Sequence, residues 1–300
     1  MRRMVAMAAV LAIGAAPAPQ ERVIAPDGVV EGRIGDTPLR LRIDPGATAM
    51  PLVTTAIAER AGLKAGMFGT VYGVGPVRIP GRTAVGWIDF GTGPVKRRIS
   101  FAPKPYAAGF DGVVGPGGLA EPVVRFVLRA AVPGERTVAL PMVDQGGMMG
   151  NWAERFALVE VGGERLRVRF DPHHARTLAT AAAGVRLAAA FGGTVSGGTE
   201  PEEIAFGVSR PVRALALARP ITIGPLAIRT LGVRTTDNGN AAGIAEAGAD
   251  ADPNEVVVTA KGKGKHDPDR DRLSLGADVL ARCSSIVFDT PAKAIRLTCA

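Results

Sequence analysis

Apolar and charged residues alternate along this chain in short runs, and one run occurs twice. Leu39-Arg40-Leu41-Arg42-Ile43-Asp44-Pro45 returns as Leu166-Arg167-Val168-Arg169-Phe170-Asp171-Pro172. A period of two is the mark of a half-buried strand, apolar on one face and charged on the other. Each copy ends on an acid and a turn residue, so the pattern predicts two strands that each deliver a carboxylate. Two carboxylates meeting at a pseudo-twofold axis suit acid–base chemistry on a water molecule.

The elements around the two phrases repeat as well. After Asp44 the pattern predicts a helix over 51–62, with Val53, Ile57 and Ala61 at helical spacing and Gly62 at its end. A Gly-rich hairpin follows at Tyr72-Gly73-Val74-Gly75, then strands over 83–90 and 95–101 and a tight turn at Asp111-Gly112-Val113-Val114-Gly115. After Asp171 come an Ala-rich helix, strands near 221–223 and 227–233, and Leu273-Ser274-Leu275-Gly276 in the place of the earlier turn. From acid to glycine is 71 residues in the first copy and 105 in the second. Segment 237–272, rich in Gly, Ala, Asp and Lys, accounts for the excess and reads as an exposed, flexible insertion. The expected organisation is an N-terminal lobe over 29–140, a Gly- and Met-rich connector over 141–155 and a C-terminal lobe over 156–300.

Composition fits this picture. Three hundred residues give room for two lobes, each with its own core. With 39 Gly, 23 Pro and 5% aromatic residues, many turns and short strands fit better than a helical bundle. The net charge is +8, with basic residues spread singly along the strands as in Arg40/Arg42 and Arg167/Arg169, and most of them read as solvated strand faces. The one compact basic run, 261–266, is followed by three acids, so no nucleic-acid partner is expected. Arg2 and Arg3 precede an apolar stretch and small residues, the layout of a signal peptide over 1–16. The stretch is too short for an ordinary membrane helix. The expectation is an exported protein, periplasmic or secreted, without stable membrane insertion after cleavage; an uncleaved anchor is the alternative. Cys283 and Cys299 flank a hairpin whose turn is centred on residue 291, which puts them opposite one another as a disulfide candidate. Two free thiols is the alternative.

The order of strand, Asp44-Pro45-Gly46-Ala47-Thr48, helix, Gly-rich hairpin and Asp111-Gly112-Val113-Val114-Gly115 resembles the aspartic proteases of the retropepsin and pepsin type, especially bacterial exported ones. The second half carries Asp171 and Leu275-Gly276-Ala277-Asp278 at the matching places, so the resemblance covers nearly the whole mature chain. It implies a mostly β, bilobal acid-protease-like fold: two pseudo-twofold-related β-barrel lobes with short helices. It implies an aspartic-type endopeptidase with Asp44 and Asp171 as catalytic pair, Gly46 and Thr48 in the active loop, and Tyr72 and Gly73 in a flap that contacts substrate. A peptide or protein substrate, a monomer and no cofactor go with that reading.

Two departures stand against it. The family has Thr or Ser after each acid, and here Pro45 and Pro172 lack both hydroxyl and N–H. His173 replaces the glycine of the second turn, which is expected to strain or reshape it. The alternative is therefore a protease-fold protein that binds peptide or protein without cleaving it. An Asp171 carboxylate beside Asp44 favours catalysis; one tied to an arginine favours binding. His173 and His174 lack a third spaced ligand, so no metal site is expected. There is no phosphate loop, dinucleotide fingerprint or serine-hydrolase elbow.

Overall fold

The computed structural model describes residues 20–145, 153–248 and 268–300. The fold is mostly β with short helices. The first half forms β1 (Glu21–Ile24), β2 (Val29–Ile34), β3 (Thr37–Ile43), β4 (Leu52–Thr54), α1 (Thr55–Arg60), β5 (Gly69–Val74), β6 (Val77–Asp89), β7 (Pro94–Ala102), β8 (Gly112–Val114), β9 (Val123–Val127) and β10 (Arg136–Gln145). The second half forms β11 (Glu154–Val161), β12 (Glu164–Phe170), β13 (Leu178–Ala179), α2 (Ala181–Phe191), β14 (Gly193–Ala205), β15 (Val208–Ile223), β16 (Leu226–Arg234), β17 (Arg272–Leu275), α3 (Ala277–Leu280), β18 (Cys283–Asp289) and β19 (Ala294–Cys299).

The duplication is written in the strand order. β2-β3-β8-β4-β7-β6-β5 lie side by side in the first half, and β11-β12-β17-β13-β16-β15-β14 in the second. Matching strands pair in matching senses: β3–β8 and β12–β17 are parallel, β4–β8 and β13–β17 antiparallel. The halves differ in closure. β2 pairs with β6 and closes six strands into a barrel. Its counterpart β11 pairs with β10 instead, so the second set stays open and continues through β10, β19, β18, β9 and β1 as one twelve-stranded sheet. The expected pair of barrels is thus corrected: the first half closes and the second does not.

Strand β3 shows how the pattern makes the fold. Leu39, Leu41 and Ile43 are buried while Arg40 is exposed, as a two-residue period requires. The predicted helix over 51–62 is shorter and follows a strand. Leu52–Thr54 pairs with β7 and β8, and Thr54 accepts the Ile57 N–H at 3.3 Å to cap α1. One hydrophobic core runs through both halves, with Phe126 and Phe170 each edge-on to Phe288.

Three boundary expectations change. The connector begins inside a strand, because β10 pairs with β19 and β11 out to Gln145. β9 and β10 belong to the twelve-stranded sheet and not to the barrel of the N-terminal unit. The insertion over 237–272 is anchored where it is described: Asp237, Ala241, Ile244 and Asp271 are buried, and β17 starts at Arg272. Its middle, like the signal segment 1–16, lies outside the described residues. Cys283 and Cys299 face each other in register on β18 and β19 and are joined by a disulfide.

Candidate active site

Asp44 and Asp171 stand at matching points of the repeat. Ile43 pairs with Val114, and the Asp44 N–H donates to the Val114 carbonyl at 2.9 Å. Phe170 pairs with Leu275, and the Asp171 N–H donates to the Leu275 carbonyl at 2.9 Å. Each acid then opens a turn: Ala47 N–H reaches the Asp44 carbonyl at 3.0 Å and His174 N–H the Asp171 carbonyl at 3.1 Å. Pro45 and Pro172 fall at the second turn position, where their fixed φ fits. His173 does not have a positive φ, so the expected strain at that position is not present.

Close packing ties each loop to the opposite half. Gly46 gives its N–H to Asp44 Oδ1 at 2.8 Å, and any side chain there would run into the Arg169 guanidinium. On the other side His173 lies against Gly28: a Cβ on that glycine would sit 3.1 Å from His173 Nε2. Burial holds the His173 imidazole below its usual pKa, against the pull of nearby Asp44. Small residues on one half thus receive large polar side chains from the other.

Both carboxylates are ion-paired. Arg42 Nη2 is 3.0 Å from Asp44 Oδ2, and Arg169 Nη2 is 3.3 Å from Asp171 Oδ2. Arg169 also donates to the Tyr106 hydroxyl at 2.7 Å. Burial raises the Asp171 pKa; Arg169 opposes the rise, and the negative charge of Asp44 adds to it. Burial also pushes the Tyr106 phenol up to about 12, with Arg169 opposing and both acids reinforcing. Asp44 is completely buried, at 0% exposure.

Two hairpin tips from opposite halves interlock beside these loops. The β5–β6 tip at Gly75 lies against the second half's Arg210–Asp237 ion pair, which is 2.8 Å long from Nε to Oδ1. The β14–β15 tip at Phe206 reaches the first half. Its N–H donates to the Tyr106 carbonyl at 2.9 Å, and its ring packs 5.3 Å from both Tyr72 and Tyr106. Ala47, beside Asp44, belongs to the same apolar cluster. His174 Nε2 lies 2.9 Å from the Glu203 carbonyl and holds the neck of this second hairpin.

The remaining predicted residues sort unevenly. Tyr72 lies on β5 with its hydroxyl turned to Ser100 Oγ at 2.6 Å. Gly73 pairs with Arg78 across that hairpin. Thr48 binds its own loop, donating to the Met50 carbonyl at 3.0 Å. Arg42, Arg169, Tyr106 and Phe206 were not singled out by the sequence. A signal for the arginines existed: residues two apart on a strand share a face, so Arg42 and Arg169 were bound to accompany the acids that follow them. They are not the solvated residues expected. Tyr106 and Phe206 sit in a loop and a turn that carry no such period. No group of three or more His, Cys, Asp or Glu able to hold a metal occurs among the described residues.

No family model matches the chain, and no curated protein matches it. Among solved structures it is similar to the retroviral protease-like domain of Ddi1 from Leishmania major, at 16% identity and a TM-score of 0.22, over 30% of this chain and 71% of that one. A superposition of that quality leaves the chemistry to the site's own geometry.

Proposed function

We propose that the chain is an aspartic-type endopeptidase whose two halves form one site, held closed in the conformation described here. The observation that carries this reading is the duplicated strand and turn. It brings Asp44 and Asp171 near enough that the charge of Asp44 adds to the rise that burial gives the Asp171 pKa. Paired carboxylates with different surroundings divide into acid and base. Asp171, whose pKa is raised, holds the proton. Asp44, with Arg42 and Gly46 donating to it, is the base.

The reaction follows from that division. Asp44 takes a proton from water as the oxygen attacks the peptide carbonyl carbon, while Asp171 gives its proton to the carbonyl oxygen. The tetrahedral intermediate then collapses, the C–N bond breaks and the amine leaves with a proton from the pair. Because Asp44 is fully buried, water and substrate enter only after the two hairpin tips part.

A second reading is favoured by the ion pairs. Two guanidiniums beside two carboxylates cancel the repulsion that makes such a pair share a proton. On that reading the closed site binds a peptide and does not cut it. Cleavage of a mixed peptide library from pH 3 to 7 separates the two. The endopeptidase cleaves, and Asp44→Asn and Asp171→Asn each abolish cleavage. Folded protein that cleaves nothing at any pH, including after the Phe206 tip is trimmed, leaves the binding reading.

A further inference from the structure

The outer face of β6 and β7 carries apolar side chains where a barrel strand normally meets water. Trp87 and Val85 point outward from β6, at 56% and 55% exposure, while Ala84 and Ile88 are buried on the inner face. Phe68 and Met67, 58% and 94% exposed, lie in the loop beside them, and the Thr83 hydroxyl donates to the Phe68 carbonyl at 2.8 Å. Cations stand in register among these residues. Trp87 is opposite Lys96 and Val85 is opposite Arg98, whose guanidinium lies 5.4 Å from the centre of the Phe68 ring. Lys64 is exposed in the same loop. Among the described residues no ion pair engages Lys64, Lys96 or Arg98. Asp89, two residues along β6 from Trp87, spends one carboxylate oxygen on the N–H groups of residues 91, 92 and 93.

We propose that this face docks on a bilayer surface bearing anionic headgroups. Trp87, Phe68 and Met67 enter the headgroup boundary, and Lys64, Lys96 and Arg98 meet the phosphates. An aromatic and apolar patch with interleaved cations matches that boundary on both counts: its rings gain apolar surroundings, and its charges meet the opposite sign. A purely apolar patch would lack the second match, and a purely basic one the first. The proposal is independent of whether the site cleaves peptides.

Sedimentation with vesicles tests it, using full-length protein with Trp152→Phe so that Trp87 is the single indole of the two in the chain. The expected result is partition onto phosphatidylglycerol-containing vesicles, weak partition onto pure phosphatidylcholine, and a blue shift of Trp87 emission on binding. Raising salt weakens the partition, and Lys96→Gln weakens it about fivefold. Phe68→Ser/Trp87→Ser, read by sedimentation alone, abolishes it with an unchanged circular dichroism spectrum. Absence of partition overturns the proposal, as does partition that the double variant retains. A blue shift that grows with protein concentration and needs no vesicle also overturns it, and assigns the face to a second copy of the chain.

Discussion

At the scale of the residue, the site is a balance between burial and pairing. Asp171 is buried beside Arg169, and the net effect on its acidity is upward. For an acid with a raised folded pKa, the stabilising contribution is complete below the unfolded value of 3.8 and disappears as pH rises through the folded value. Asp171→Asn removes that dependence. Urea midpoints of the wild type should therefore fall relative to those of the variant as pH rises from 3.8 toward neutrality. Parallel curves would mean that Arg169 cancels the burial cost. The two tyrosines give a second check. Burial raises both phenols, Tyr106 to about 12 and Tyr72 above its ordinary 10.0, where hydrogen bonding with Ser100 and Thr70 resists. Ultraviolet titration of the folded protein should show less phenolate at pH 10 than the unfolded chain does, and the step near 12 should vanish in Tyr106→Phe. That variant also strips Arg169 of an acceptor, at a cost of about 2 kcal/mol.

At the scale of the element, closure depends on two hairpins that repeat each other. β5–β6 and β14–β15 hold equivalent places in the two strand orders, yet each tip rests on the opposite half. Phe206 takes a φ of +59° to do so, a conformation that costs a residue with a side chain about 1 kcal/mol or more. Its ring, 2% exposed between Tyr72 and Tyr106, offsets that cost. Phe206→Gly removes strain and ring together. The net loss is about 2 kcal/mol, because burying a large ring is worth more than the strain. If the tip gates the site, the variant cleaves peptide several-fold faster, and the amide of residue 206, freed from the Tyr106 carbonyl, exchanges its hydrogen faster. Faster exchange with unchanged cleavage would show that the tip moves without controlling access.

At the scale of the whole molecule, what could be read in advance was what has a period. The alternation in β3 and β12 fixed both acids at strand ends, and its recurrence foretold the matching strand orders. Closure had no such signal, since whether β11 meets β15 or β10 is decided by pairing between distant segments. β10 itself was hidden, because Pro141–Met142 interrupts its pattern and its partner β19 lies more than 150 residues away. That partnership makes the last strands a structural test of the whole. β18 and β19 join β9 to β10, so the strand sequence from β1 to β11 passes through the Cys283–Cys299 hairpin. The disulfide spans 16 residues and restricts the unfolded chain, a contribution of about 3 kcal/mol for a loop of that size. Cys283→Ala/Cys299→Ala should lower unfolding free energy by roughly that amount, measured in urea without reductant. If the hairpin ties both halves together, fluorescence and backbone ellipticity will still move through a single shifted transition. Two separated transitions would show that the barrel folds without the twelve-stranded sheet.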